Sequence, residues 1–134
     1  MGKTKNIQPP SSRSRRKNQR IVPGAPIGYY EISSRGDRLI SVDDDLCEFI
    51  GYSREELLSM DPLSLLDDRS ISAFFKIVMK KELENKISEQ AVFRVKTKGG
   101  RFRTFLAELV EFRHLDGSQE SAKVLARNVA RVVA

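Results

Sequence analysis

The sequence predicts an α+β domain in the order strand, strand, short helices, one longer helix, then three strands. A glycine followed at once by a helix start, Gly51-Tyr52-Ser53-Arg54-Glu55-Glu56, marks two short helices joined end to end. Gly51 can take the left-handed conformation that closes a helix. Ser53 and Glu56 have the spacing of a capping box, in which each side chain serves the other's free backbone N–H. Farther along, Ile71, Phe74, Phe75 and Val78 recur at i, i+3, i+4 and i+7, one apolar stripe on a helix. Stretches rich in Tyr, Ile, Val and Phe lie on either side of this helical middle.

Taken in order, residues 1–26 are expected to form a disordered basic tail and hinge, and 27–134 the domain. Residues 1–22 carry seven Lys and Arg and no Asp or Glu, so they account for the formal net charge of +6. The remainder holds 17 basic against 18 acidic residues and is close to neutral. Residues 2–20 contain a single aliphatic side chain, Ile7, and cannot build a core. Pro23-Gly24-Ala25-Pro26 then has the chemistry of a turn-rich hinge. Five of the eight residues in Arg13–Arg20 are basic, enough for nonspecific, salt-sensitive contacts to nucleic acid. No aromatic is interleaved to stack a base, and a solvated linker explains the same charges.

Tyr29 to Ser34 and Arg38 to Val42 read as strands around Arg35-Gly36-Asp37, whose Gly-Asp is turn chemistry rather than an adhesion motif. Asp44 to Ile50 and Arg54 to Met60 supply the helices flanking Gly51. Pro62 suits the first turn of another short helix, and Asp67 or Asp68 can cap the longer one. Phe93 and Val95 alternate with Arg94 and Lys96, the pattern of a half-buried strand. From Phe102 to Phe112 both faces are partly apolar: Phe102, Leu106, Val110 and Phe112 on one, Phe105, Ala107 and Leu109 on the other. Such a strand should be covered on both sides.

Several classes of function are disfavoured. The chain of 134 residues has room for one core. Its one cysteine, Cys47, cannot form an internal disulfide, and no apolar run approaches the roughly 20 residues of a membrane span. A cytoplasmic, non-membrane protein is the expectation. His114 and Cys47 alone cannot supply the three or four ligands of zinc. Asp43-Asp44-Asp45 lacks the glycine and terminal Glu of a calcium loop and reads as a cap and solvated surface. There is no Gly-rich phosphate loop and no Ser/His/Asp set, and helix starts explain Glu55-Glu56 and Asp67-Asp68, so no enzyme is expected.

The joint at Gly51-Tyr52-Ser53-Arg54-Glu55-Glu56-Leu57-Leu58, with Val42-Asp43 and Phe49-Ile50 before it and Lys98-Gly99-Gly100-Arg101-Phe102 after it, resembles a PAS domain, the Per-Arnt-Sim sensory module. The resemblance runs from about Tyr29 to Arg131 and rests on Asp43, Gly51, Tyr52, Ser53, Glu56 and Gly100. Asp43 stands where such domains usually carry Asn, Lys98-Gly99-Gly100 replaces Lys-Asp-Gly, and Asp116-Gly117 keeps a second turn. Asn128-Val129-Ala130 stands where Asp-Ile-Thr would close the last strand, which bears on how the domain couples to a following element. The resemblance implies a five-stranded antiparallel sheet with the short helices and the longer helix packed on one face.

It also implies a regulatory module of signal transduction, such as two-component regulation, acting on an effector outside this chain. The pocket for a small ligand would involve Ile71, Phe74, Phe75, Val78 and Phe93, although a plain core explains the same stripe. The outer sheet face, Phe105, Ala107 and Leu109 or their opposite-face neighbours, would meet a second copy or an effector. No histidine lies between Asp68 and Asn85, where haem-binding relatives usually carry the axial ligand. Cys47 sits in Leu46-Cys47-Glu48 rather than the Asn-Cys-Arg-Phe of flavin photoreceptors. Haem, a covalent flavin adduct and zinc are therefore disfavoured, and the ligand is left open. A ligand-free dimerisation module, and a nucleic-acid-associated protein using the tail, are the alternatives.

Overall fold

Gly51 ends the first helix in the left-handed conformation, φ 93°, and the next helix starts two residues later under a complete Ser53/Glu56 capping box. This joint lies in the middle of a computed structural model that describes residues 20–114 and 120–133. The elements are β1 (Arg20–Ser33), β2 (Leu39–Val42), α1 (Asp44–Ile50), α2 (Arg54–Ser59), a 3₁₀ turn (Pro62–Leu65), α3 (Asp68–Glu84), β3 (Gln90–Lys96), β4 (Phe102–His114) and β5 (Glu120–Val133). The strands form one antiparallel sheet in the order β2-β1-β5-β4-β3. The helical segments cover one face, with Leu46, Ile50, Leu57 and Leu65 packed against Phe93, Phe105, Val124 and Ala126 of the sheet.

Asp67 is the cap of α3, accepting from the Ser70 backbone N–H at 2.9 Å. Gly100, at φ 96°, closes the β3–β4 turn with its N–H donating to the Thr97 carbonyl. Gly36 has φ 77° and is buried, because the Phe74 ring lies against it; an added Cβ would meet that ring at 2.5 Å. Arg35-Gly36-Asp37 is thus a turn under a helix.

The sheet extends farther than expected at its start. β1 begins at Arg20, not Tyr29, and the expected hinge Pro23-Gly24-Ala25-Pro26 pairs with the end of β5. The strand absorbs both prolines through register shifts at Val22/Pro23, Pro23/Pro26 and Pro26/Gly28. β2 pairs only with Tyr30 to Ile32, so the opposite edge of residues 20–28 has no ladder requiring a proline N–H. Arg127 and Asn128 hold the bulged segment by donating to the Gly24 and Ala25 carbonyls. The expected basic tail, up to residue 19, and the Asp116-Gly117 turn lie outside the described residues.

Each outer strand has part of its free edge engaged. On β3, the Arg94 N–H donates to Ser70 Oγ at 2.8 Å, and its carbonyl accepts from the Asp67 N–H. Beyond β2, the Arg54 guanidinium donates to the Val42 carbonyl at 3.1 and 3.0 Å.

Candidate functional site

Strands alternate their side chains across the sheet, so register decides what faces the helices. Tyr30, Phe93, Phe105, Ala107 and Val124 all point inward and, with the helices opposite, leave a cavity of about 170 Å³. Leu46, Phe49 and Ile50 of α1 form part of its helical wall, the 3₁₀ turn adds Leu63 and Leu65, and α3 contributes Phe74 and Ile77. One end reaches the surface where Ser88, Glu89 and Gln90 lead into β3.

The walls are almost entirely hydrocarbon and aromatic. Phe105 sits between two rings, with centroids 5.9 Å from Phe93 and 6.3 Å from Tyr30 in an edge-on contact, favourable separations for aromatic pairs. Burial alone pushes the Tyr30 hydroxyl well above the ordinary tyrosine pKa. Among the described residues that hydroxyl has no hydrogen-bond partner. Tyr30 is half-buried and lines the cavity.

The expected pocket residues divide. Phe74 and Phe93 line the cavity. Ile71 and Phe75 do not; Phe75 is 48% exposed on the outer side of α3. Val78 lines a smaller neighbouring depression shared with Phe74, Ile77 and Phe112. The stripe is out of phase because Ser70, which apolar spacing cannot register, faces inward to reach the Arg94 N–H. Four and seven residues on from Ser70 are Phe74 and Ile77, so the helix turns Phe75 away. Ile77 of α3 and Tyr30 of β1 are among the lining residues that the expected pocket left out; the Tyr29-Tyr30 pair did mark a strand, but only register says which ring points in.

The expected partner face is corrected as well. Phe105 and Ala107 are buried, and with Leu109 they line the cavity, so none is available to a second chain there. Their neighbours Leu106 and Val110 lie on the other face. Leu106 is enclosed between Val92 and Arg127 in register, whereas Val110, at a bulge in β4, is 52% exposed. Much of that outer face is polar. Glu31, buried, accepts from Ser121 Oγ and from Arg113 at 3.3 Å, and Lys123 lies over the Tyr29 ring.

Of the fold-motif residues, Gly51, Tyr52 and Glu56 gather around Lys98, outside the cavity lining. The Lys98 N–H donates to the Ile50 carbonyl at 3.0 Å, and Lys98 Nζ reaches Glu56 at 2.9 Å. The Ser53 backbone N–H, with help from Lys98, holds the Glu56 carboxyl below the usual range. Lys98 also lies over the Tyr52 ring. Asp43 does not cap α1 with its side chain, contrary to expectation; its carboxylate accepts from the Tyr29 N–H at 2.9 Å and ties α1 to β1. Cys47 is buried, and that burial pushes its thiol pKa up, away from a nucleophile's. Among the described residues no three His, Cys, Asp or Glu side chains gather as a metal site, and no helix is long and apolar enough to cross a membrane.

No family model and no curated protein matches the chain. Solved structures do. A PAS domain from Desulfitobacterium hafniense aligns at 18% identity and TM-score 0.57, over 73% of this chain and 89% of its own. A domain of a sensory box sensor histidine kinase/response regulator from Geobacter sulfurreducens aligns at 21% and 0.52, over 75% and 82%. The PAS-B domain of Drosophila melanogaster Cycle, with bound ethylene glycol, aligns at 14% and 0.58, over 76% and 98%.

Proposed function

We propose, on the premise that the chain adopts the PAS fold, that it is a regulatory sensor module of a signal-transduction protein. A small molecule in the cavity biases the position of α3 against the sheet, and a partner reads the result. The reading rests on one observation: an apolar cavity of about 170 Å³ between sheet and helices, with α3 as a wall tied down at one end. A ligand that prefers one position of that wall shifts the population toward it. Neighbours of this fold include a sensor histidine kinase domain, which supports a signalling role. The module is regulatory and not catalytic, and its effector is a second copy or a protein outside this chain. Native mass spectrometry of the full chain tests it: bound mass that is released on denaturation is expected. A protein that stays free of added mass through a metabolite screen would overturn the sensor reading.

A second reading, a ligand-free dimerisation module, draws on the outer face, where Val92, Phe102 and Val110 are exposed. Val110→Glu is then expected to turn a dimer into monomers in sedimentation velocity without loss of fold. An unchanged oligomeric state would remove that face from consideration.

A further inference from the structure

We infer that the cavity selects a neutral molecule about the size of one six-membered aromatic ring, bearing a single hydrogen-bonding group that meets the Tyr30 hydroxyl. The inference rests on the ligand-binding reading above and gives it a chemical class.

Size comes first. A cavity of about 170 Å³ is comparable to an apolar cavity of about 150 Å³ that accepts benzene. One ring fills it; a fused three-ring system enters only if α3 moves. Shape comes second. Tyr30, Phe93 and Phe105 surround the space with ring edges and faces, against which a flat aromatic guest gains more than an aliphatic one of equal volume. Charge comes third. Glu89 is the one charged side chain among the lining residues, and it is exposed at the surface end. Nothing inside would offset the desolvation of a carboxylate or an ammonium group.

The hydroxyl sets the remaining requirement. The Tyr30 ring is fixed against Phe105, and its O–H is desolvated with no partner among the described residues. A guest carrying a hydroxyl or carbonyl satisfies it, and a purely hydrocarbon guest leaves it bare. Ser88 and Gln90, the other polar lining residues, belong to the surface end. Among the described residues, Tyr30 is therefore the polar side chain that can discriminate between guests away from the surface end.

The test uses toluene and phenol, close to isosteric, with benzoate as the charged analogue. Each is titrated into the full-length protein while the amide resonances of Ala107 and Ala122 are followed by NMR. The preference for phenol over toluene is expected to fall by roughly fivefold in Tyr30→Phe, with benzoate not binding. Tyr30→Phe removes only a hydroxyl unpartnered among the described residues, and a thermal midpoint at or above that of the unaltered protein verifies its fold. If phenol and toluene bind with the same ratio in both proteins, or benzoate binds as well as phenol, the ligand class is wrong while the sensor reading survives. If no probe binds and native mass spectrometry finds no bound mass, both fail.

Discussion

The two helical walls of the cavity are held very differently. At the α1–α2 joint the polar groups converge: the capping box, Lys98 on the Ile50 carbonyl and on Glu56, Arg54 on the Val42 carbonyl, and Arg103 on the Phe49 carbonyl at 3.1 Å with its guanidinium over that ring. α3 is tied at its start by Asp67, Ser70 and Arg94. Towards its other end its side-chain ties to the sheet are Lys81 to Glu120 at 3.9 Å and Lys81 over the Phe112 ring. Phe75, Met79 and Leu83 of α3 face outward and exposed. On the sensor reading proposed above, the first wall would be the fixed reference and α3 the lever, pivoting near Ser70. Local opening is easiest where buried contacts are few, so the proposed ligand-dependent signal would act on α3 rather than on the joint.

The sharpest test is truncation of matched leucines. Leu57 of α2 is fully buried, and Leu57→Ala is expected to cost about 2–5 kcal/mol in urea denaturation. Leu83 of α3 is 74% exposed, and Leu83→Ala should stay within about 0.5 kcal/mol. Equal costs would abolish the contrast. Gly51→Ala places a side chain at φ 93° and is expected to cost about 1–2 kcal/mol by the same measurement. A neutral result would mean that the joint adapts and is no fixed reference.

Acid titration separates the two caps. Hydrogen bonds from the Ser70 and Ser53 backbone N–H groups hold the carboxyls of Asp67 and Glu56, respectively, below their usual range. A folded pKa below the unfolded one stabilises the protein above the unfolded value, about 4 for these groups, and the contribution is lost as pH falls through the folded value. Thermal midpoints should therefore drop on acidification below about pH 4, less steeply in Asp67→Asn and in Glu56→Gln. An unchanged slope in both variants would show that neither cap carries the acid dependence. The smallest effect belongs to Lys81→Met, expected to shift stability by less than about 1 kcal/mol while amide exchange quickens in the last two turns of α3. Exchange that is equally slow there and in α2 would show that the lever is clamped.

Much of this architecture was legible in local chemistry. The glycine stop, the capping box, the Pro62 turn and the alternation in β3 are decided by residues a few positions apart, and each formed where expected. The outcomes at β1 and α3 depended on distant partners. Pro23 and Pro26 read as a hinge until β5 supplies a strand to pair with and bulges to absorb them. The phase of α3 follows Ser70 reaching a strand N–H 24 positions away, an interaction invisible to apolar spacing.

By itself the sequence determined the fold class, the helix joint and its caps, because backbone propensities and caps act over a turn or two. Tertiary structure alone decided which face of β4 is inside, which side of α3 meets the cavity, and that Tyr30 lines it with a hydroxyl unpartnered among the described residues. Strand alternation permits two opposite assignments for a strand apolar on both sides, and only packing against the helices chooses between them.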